Sequence, residues 1–132
     1  MGRYYLRILE NRNIQHFSEY VKGDSKRLNG FAKERRKYGF DSRETWSLDS
    51  TFYIWLYERL MMFKEKASKV VDLTFHKFEY KGETLTQIEC IDRMIEGCKL
   101  FIEYPDTQDE EKRKKINSVC EIWAIVIPAM WW

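Results

Sequence analysis

The stretch DSRETWSLDSTFYIWLYERLMMFKEKA, residues 41–67, decides the fold of this chain. Within it Leu48, Phe52, Trp55, Leu56, Leu60 and Phe63 fall at i, i+4, i+7 and i+8 spacing, which predicts one long helix with a continuous apolar stripe. Glu58, Arg59, Lys64 and Glu65 flank that stripe. Asp41 and Glu44 stand three apart, as in a capping box, so the helix is expected to open ahead of Trp46 and to run to about Ala67.

Downstream, residues 70–86 turn β-branched and aromatic, with FHKFEY and ETLT on either side of Lys81-Gly82, the composition of a short hairpin. Thr86 and Glu89 form a capping box opening a helix with Ile88, Ile91, Ile95, Cys98 and Ile102 on one face, which stops before Pro105. Thr107 and Glu110 repeat the signal, and Asp109/Arg113, Glu110/Lys114 and Glu111/Lys115 are acidic-to-basic i, i+4 pairs on a solvated first turn. Ile116, Val119, Cys120, Trp123 and Ile127 make the stripe of that helix until Pro128 removes a backbone donor and kinks or ends it. Upstream, Gly39 caps a basic helix that starts near Asp24 or Ser25 and is weakened by Gly30; Gly23-Asp24 separates it from an earlier helix over residues 4–21. The expected architecture is mainly α. It is one compact bundle of about four to five helices with a short β-hairpin near residues 73–86, a basic N-terminal region over 1–38 and a core over 41–132.

With 132 residues, 44% of them apolar, the chain has material for one core, yet five Trp, eight Tyr and eight Phe are more rings than such a core readily hides. Some rings are therefore expected at a surface or an interface. The longest apolar stretch, within 122–132, is broken by Pro128 and falls short of the roughly 20 residues of a membrane span. The opening residues MGRYYLRILENRN scatter charge where a secretory signal needs an apolar run, and Leu6 stands where a myristoylation motif wants Ser or Thr. A cytosolic protein is expected, without cofactor or membrane partner and with free thiols at Cys90, Cys98 and Cys120. The net charge of +2 argues against a strongly acidic nucleic-acid mimic and confines any nucleic-acid binding to a local patch.

The segment RRKYGFDSRETWSLDSTFYIWLYERLMMFKEKA, with LTQIECIDRMIEG and IPAMWW after it, resembles a family of small tailed-phage and prophage proteins. Its members carry an Arg-rich approach to a Gly-aromatic-x-x-Arg-x-x-Trp-x-Leu-Asp motif, a later helix with Asp-x-Met-Ile and an aromatic C-terminal tail. The matching positions are Gly39, Phe40, Asp41, Arg43, Trp46, Leu48, Asp49, Leu60, Phe63, Thr86, Asp92, Met94, Ile95 and Trp131. The resemblance covers roughly residues 35–132 and implies a helical fold and a phage origin, without an established reaction. Cys90 stands where the pattern has Trp.

Several residues invite chemistry. His76, Cys90, Cys98 and Cys120 supply the donor types of a Cys3His zinc site, the basis of a small structural zinc protein as an alternative. On one straight helix, however, Cys90 and Cys98 stand about 12 Å apart along the axis, too far to share one ion. Small hydrophobes packed in helix stripes are the favoured reading of these cysteines. The chain has no Gly-x-Ser-x-Gly, Walker or His-Glu-x-x-His motif, so no enzyme is expected. Asp41, Glu44 and Asp49 are read as helix-start residues.

Between Lys22 and Arg43 eight Lys or Arg face three acids, with Phe31, Tyr38 and Phe40 interleaved. Lys26, Arg27, Lys33, Arg35, Arg36 and Lys37 are thus candidate nucleic-acid contacts, beside the readings of a solvated face and of docking on an acidic protein. Trp46, Trp55 and Trp123 fall on expected core stripes, whereas Trp131 and Trp132 either anchor a partner or clamp the terminus onto the core. Two functions follow. The first is a phage-encoded, non-enzymatic module that docks a host or phage protein through Trp131, Trp132, Arg35, Arg36 and Lys37, such as an inhibitor of a host defence like a CRISPR nuclease complex. The second is a basic nucleic-acid-binding accessory protein.

Overall fold

The computed structural model describes residues 25–132; the helix expected over 4–21 and the break at Gly23-Asp24 lie outside the described residues. Four helices and one hairpin follow in order: α1 (Ser25–Tyr38), a 3₁₀ turn (Ser42–Thr45), α2 (Leu48–Ala67), β1 (Lys77–Tyr80), β2 (Glu83–Thr86), α3 (Gln87–Glu103), α4 (Glu110–Val126) and a terminal 3₁₀ turn (Ile127–Ala129). This is the mainly α fold, with its hairpin, that the sequence pattern predicts.

The hairpin forms where expected because Lys81 and Gly82 both take positive φ, 48° and 80°, as the central pair of a two-residue type I′ turn must. Its register pairs Phe78 with Leu85 and Tyr80 with Glu83. Leu85 and Tyr80 are buried and Phe78 packs beside them, so one face of the ribbon closes on the helices.

α3 is the central helix, packed on α4 along one side and on α2 along the other. Its capping box is complete: the Thr86 hydroxyl accepts from the Glu89 N–H at 3.3 Å, and Glu89 Oε1 accepts from the Thr86 N–H at 3.1 Å. Of its expected stripe Ile91, Cys98 and Ile102 are buried and Ile88 and Ile95 half-buried. Because both sides are covered, Cys90, Met94, Gly97 and Phe101 are buried as well. Gly97 permits the contact with α4, since a Cβ there would lie 2.5 Å from the Lys115 carbonyl oxygen and nearer still to Val119 Cγ2.

Several expectations about α2 and α4 are corrected. α2 begins at Leu48 and not at Asp41, because Asp41 caps the separate 3₁₀ turn. Its buried face is Ser50, Ile54, Leu56, Tyr57, Leu60 and Ala67, while Leu48 and Trp55 of the expected stripe are exposed. The helix carries large apolar residues nearly all round, so spacing alone does not select the face that α3 takes. Trp46, expected in the core, is 58% exposed. In α4 the cap is Asp109, which accepts from the Lys112 N–H at 2.9 Å, two residues past Thr107. Its buried stripe is Ile116, Val119, Ile122 and Val126, with Cys120 and Ile127 exposed. The expected i, i+4 pairs give way to i, i+3 pairs, Asp109–Lys112 and Glu111–Lys114, and to a cross-helix pair of Lys115 with Glu96 at 2.8 Å.

Gly97→Ala should cost about 1–3 kcal/mol through overpacking. Gly30→Ala, whose Cβ meets no atom of the described residues within 4 Å, should gain up to about 1 kcal/mol from helix propensity. Urea unfolding of the two variants reads the opposite signs, and equal effects would contradict the close α3–α4 contact.

Candidate functional site

Two exposed aromatic faces stand out, each braced by a buried polar group. The first lies at the C-terminal end. Gln87, the first residue of α3 and 3% exposed, donates from its side-chain amide to the Ala129 carbonyl at 2.9 Å and touches Met130 Sδ at 3.6 Å. Its backbone N–H donates to the His76 carbonyl at 3.1 Å, and the Ile88 N–H donates to the Leu73 carbonyl at 3.0 Å. One helix start therefore holds both the terminal 3₁₀ turn and the loop before β1. Between them runs a groove of about 290 Å³ lined by Val71, Asp72, Phe75, His76, Gln87, Ala129 and Trp131. Phe75 is 75% exposed, Trp131 74% and the adjacent Trp132 56%. The backbone is fixed under these rings, because Asp72 Oδ1 accepts from the Thr74 N–H and hydroxyl, and the Trp131 N–H donates to the Ala129 carbonyl at 3.0 Å.

The second face sits over the 3₁₀ turn. Asp41 is 1% exposed and accepts from Arg43 at Oδ1 (Nε, 3.0 Å) and Oδ2 (Nη2, 2.7 Å), from the Arg43 N–H at 3.0 Å, and from Arg35 Nη1 at 2.7 Å. Burial alone would raise its carboxyl, but the hydrogen bonds from Arg43 and Arg35 outweigh burial and hold it below the ordinary value. Arg43 also lies over the Phe31 ring at 4.4 Å. Around this polar interior the apolar side chains point outward: Tyr38, Phe40, Leu48 and Trp55 line a groove of about 340 Å³ with Glu44 and Arg59. Arg59 sits 4.6 Å over the Trp55 ring, and Lys37 5.1 Å over Tyr38. Burial raises the Glu44 carboxyl, with Asp41 adding to the effect. A third recess, of about 410 Å³ between Asp49 and Arg113, is walled by Tyr53 and Phe101. Those two rings stack on each other at 4.3 Å and do not form an open aromatic face.

The structure separates the residues that the sequence groups as partner contacts. Trp131 lines the C-terminal groove, whereas Arg35 is spent on Asp41; Arg36 and Lys37 are exposed at the end of α1. The side chains of Lys26 and Arg27 lie outside the described residues. His76, Cys90, Cys98 and Cys120 are not gathered. Cys90 and Cys98 are buried on α3, Cys120 is exposed on α4 and His76 precedes β1. Among the described residues no group of three or more His, Cys, Asp or Glu is placed to hold a metal ion. Burial, helped by Cys120, pushes the Cys98 thiol up to about 12, the behaviour of an inert core thiol.

Phe75, Gln87 and Val71 are not among the residues that the sequence singles out. Phe75 lies in a bend two residues ahead of β1, where the strand alternation that turns Phe78 and Tyr80 inward does not reach. Gln87 has no sequence signal beyond its place after a cap. No family model, curated protein or solved structure matches this chain, and among the described residues no helix is long and apolar enough to cross a membrane.

Asp41→Asn breaks the buried pair and should cost about 3 kcal/mol at neutral pH. A lowered carboxyl contributes stability that is complete above its ordinary value of 3.8 and is lost as the pH falls through the lowered one. The gap between wild type and Asp41→Asn should therefore shrink on acidification, and urea midpoints at neutral pH and near pH 3 test this. A gap that stays constant would show that the Asp41 charge contributes no stability.

Proposed function

We propose that this chain is a non-enzymatic protein-interaction module of phage or prophage origin, acting in the host cytosol by docking a host or phage protein on the Phe75–Trp131 groove. The observation that carries the reading is the exposure of Phe75, Trp131 and Trp132 beside Val71 on a backbone that Gln87 fixes from beneath. Large rings in contact with water are unfavourable unless another surface covers them. Aromatic anchors on a pre-organised backbone bind with little further loss of freedom. The phage origin, and with it the kind of activity in which such a module occludes a host-defence assembly such as a CRISPR nuclease complex, rests on the sequence resemblance around Gly39–Asp49 and on the aromatic tail.

Docking by these rings predicts that Phe75→Ala/Trp131→Ala stays folded by circular dichroism and loses at least about 2 kcal/mol of affinity, roughly thirtyfold, for the captured partner. The measurement is affinity capture from host lysate with wild type and variant side by side, then titration of whatever the wild type alone retains. Equal capture by the folded variant would refute the docking site. If the partner belongs to a host defence, co-expression of the wild type, and not of the variant, should restore infection of defended cells.

A further inference from the structure

A second, separate site lies on the face above Asp41, and its chemistry differs from that of the C-terminal groove. Lys33, Arg36 and Lys37 occur at i, i+3 and i+4 on α1, all exposed, and form one ridge whose last member, Lys37, sits 5.1 Å over the Tyr38 ring. Elsewhere Lys64, Lys81, Arg93, Lys99, Lys112, Lys114 and Lys115 each pair with a Glu or Asp, while Lys66, Lys69, Lys77 and Arg113 are exposed cations outside the two aromatic grooves. Among the described residues Lys33, Arg36 and Lys37 meet no carboxylate; Arg35, one position out of the ridge, takes Asp41. Beside the ridge stand exposed rings on two different elements. Tyr38 and Phe40 lie 6.0 Å apart at 37°, and Trp55 projects from α2 with the Arg59 guanidinium against it.

We infer that this face binds single-stranded nucleic acid, with Tyr38, Phe40 and Trp55 as stacking platforms and with Lys33, Arg36, Lys37 and Arg59 on the phosphates. Every base presents a π face, so rings spaced along a cationic groove take a strand with little sequence preference. A duplex hides those faces within its own stack and offers only its phosphates. The charge complementarity favours a polyanion over an apolar protein segment, because a protein covering the rings would also have to answer three unpaired cations. Lys33, Arg36, Lys37, Tyr38 and Phe40 are among the residues that the sequence suggests, whereas Arg35 is consumed internally and Trp55 and Arg59 join from α2.

The test is fluorescence anisotropy of end-labelled oligo-dT and oligo-U, each about 16 nucleotides long, with the full chain. Binding is expected at about 50 mM salt and should fall steeply by about 200 mM, with a log–log slope near −3 for four phosphates at about −0.7 each. Tyr38→Ala and Trp55→Ala should each weaken it about tenfold. Lys33→Gln/Arg36→Gln/Lys37→Gln, confined to an exposed helix face, should weaken it and flatten the slope, which keeps the inference testable if Trp55→Ala does not fold. Phe75→Ala/Trp131→Ala should leave it unchanged, which separates this site from the protein-docking groove. No anisotropy change at low salt, equal affinity in the folded ring variants, or duplex bound as well as single strands would each overturn the inference. Loss of a captured protein partner in the ring variants, without any oligonucleotide binding, would overturn it in favour of a protein interface.

Discussion

The position of α4 depends on a missing side chain. Gly97 lets the Lys115 carbonyl and the Val119 side chain rest directly on the α3 backbone, so two helices cross at a separation that a methyl group would forbid. That contact sets where α4 ends, and hence where the 3₁₀ turn of Ile127–Ala129 meets Gln87. The hydrogen bond from Gln87 to Ala129 spans 42 residues of sequence, and it forms because the helix pair is already in register. A groove between the terminal turn and the loop before β1 is thus a consequence of core packing. The residues that line it are not the ones that create it.

The segment 38–55 inverts the usual arrangement. Asp41, Arg43 and Ser50 are inside, while Phe40, Leu48 and Trp55 are outside. Burying Asp41 and Arg43 costs desolvation that their mutual contacts roughly offset, so such a pair is poor evidence for added stability and better evidence for a fixed local geometry. Here the fixed geometry is the angle at which α1 leaves the body. Gly39, at φ 85°, ends α1 by letting the chain turn, and its N–H returns to the Arg35 carbonyl at 2.9 Å. Two successive residues then place Phe40 outward and Asp41 inward.

Much of the fold was legible in the sequence, for identifiable reasons. The Thr86/Glu89 box, the Lys81-Gly82 turn and Pro128 are local signals whose outcome depends on a few neighbouring atoms. The face of α2 was not legible, because Leu48, Phe52, Trp55 and Leu56 satisfy a helical period while Ser50, Ile54, Tyr57 and Leu60 satisfy it equally well. The choice between them belongs to α3, a partner distant in sequence. Leu48, Trp55, Arg59 and Met62 are themselves spaced by seven, four and three, a second stripe that is visible once the first is assigned. The first site was half legible: its Trp residues were evident, but Gln87 brings two distant segments together, and no local pattern records that.

The two aromatic faces rest on different physics, and this bears on how each responds to its surroundings. The C-terminal groove is held by backbone hydrogen bonds, by the neutral amide of Gln87 and by the Asp72 carboxylate that accepts from Thr74. The face above Asp41 is held by a carboxylate between two guanidinium groups, and the cations of its outer ridge repel one another across solvent. Salt screens that ridge but hardly reaches the buried pair. Acid does the reverse, leaving the ridge charged while protonating Asp41, the group that fixes the exit angle of α1. Ionic strength therefore acts on the cations of this face and pH on its foundation, whereas the Gln87 amide that braces the C-terminal groove carries no charge for either to act on.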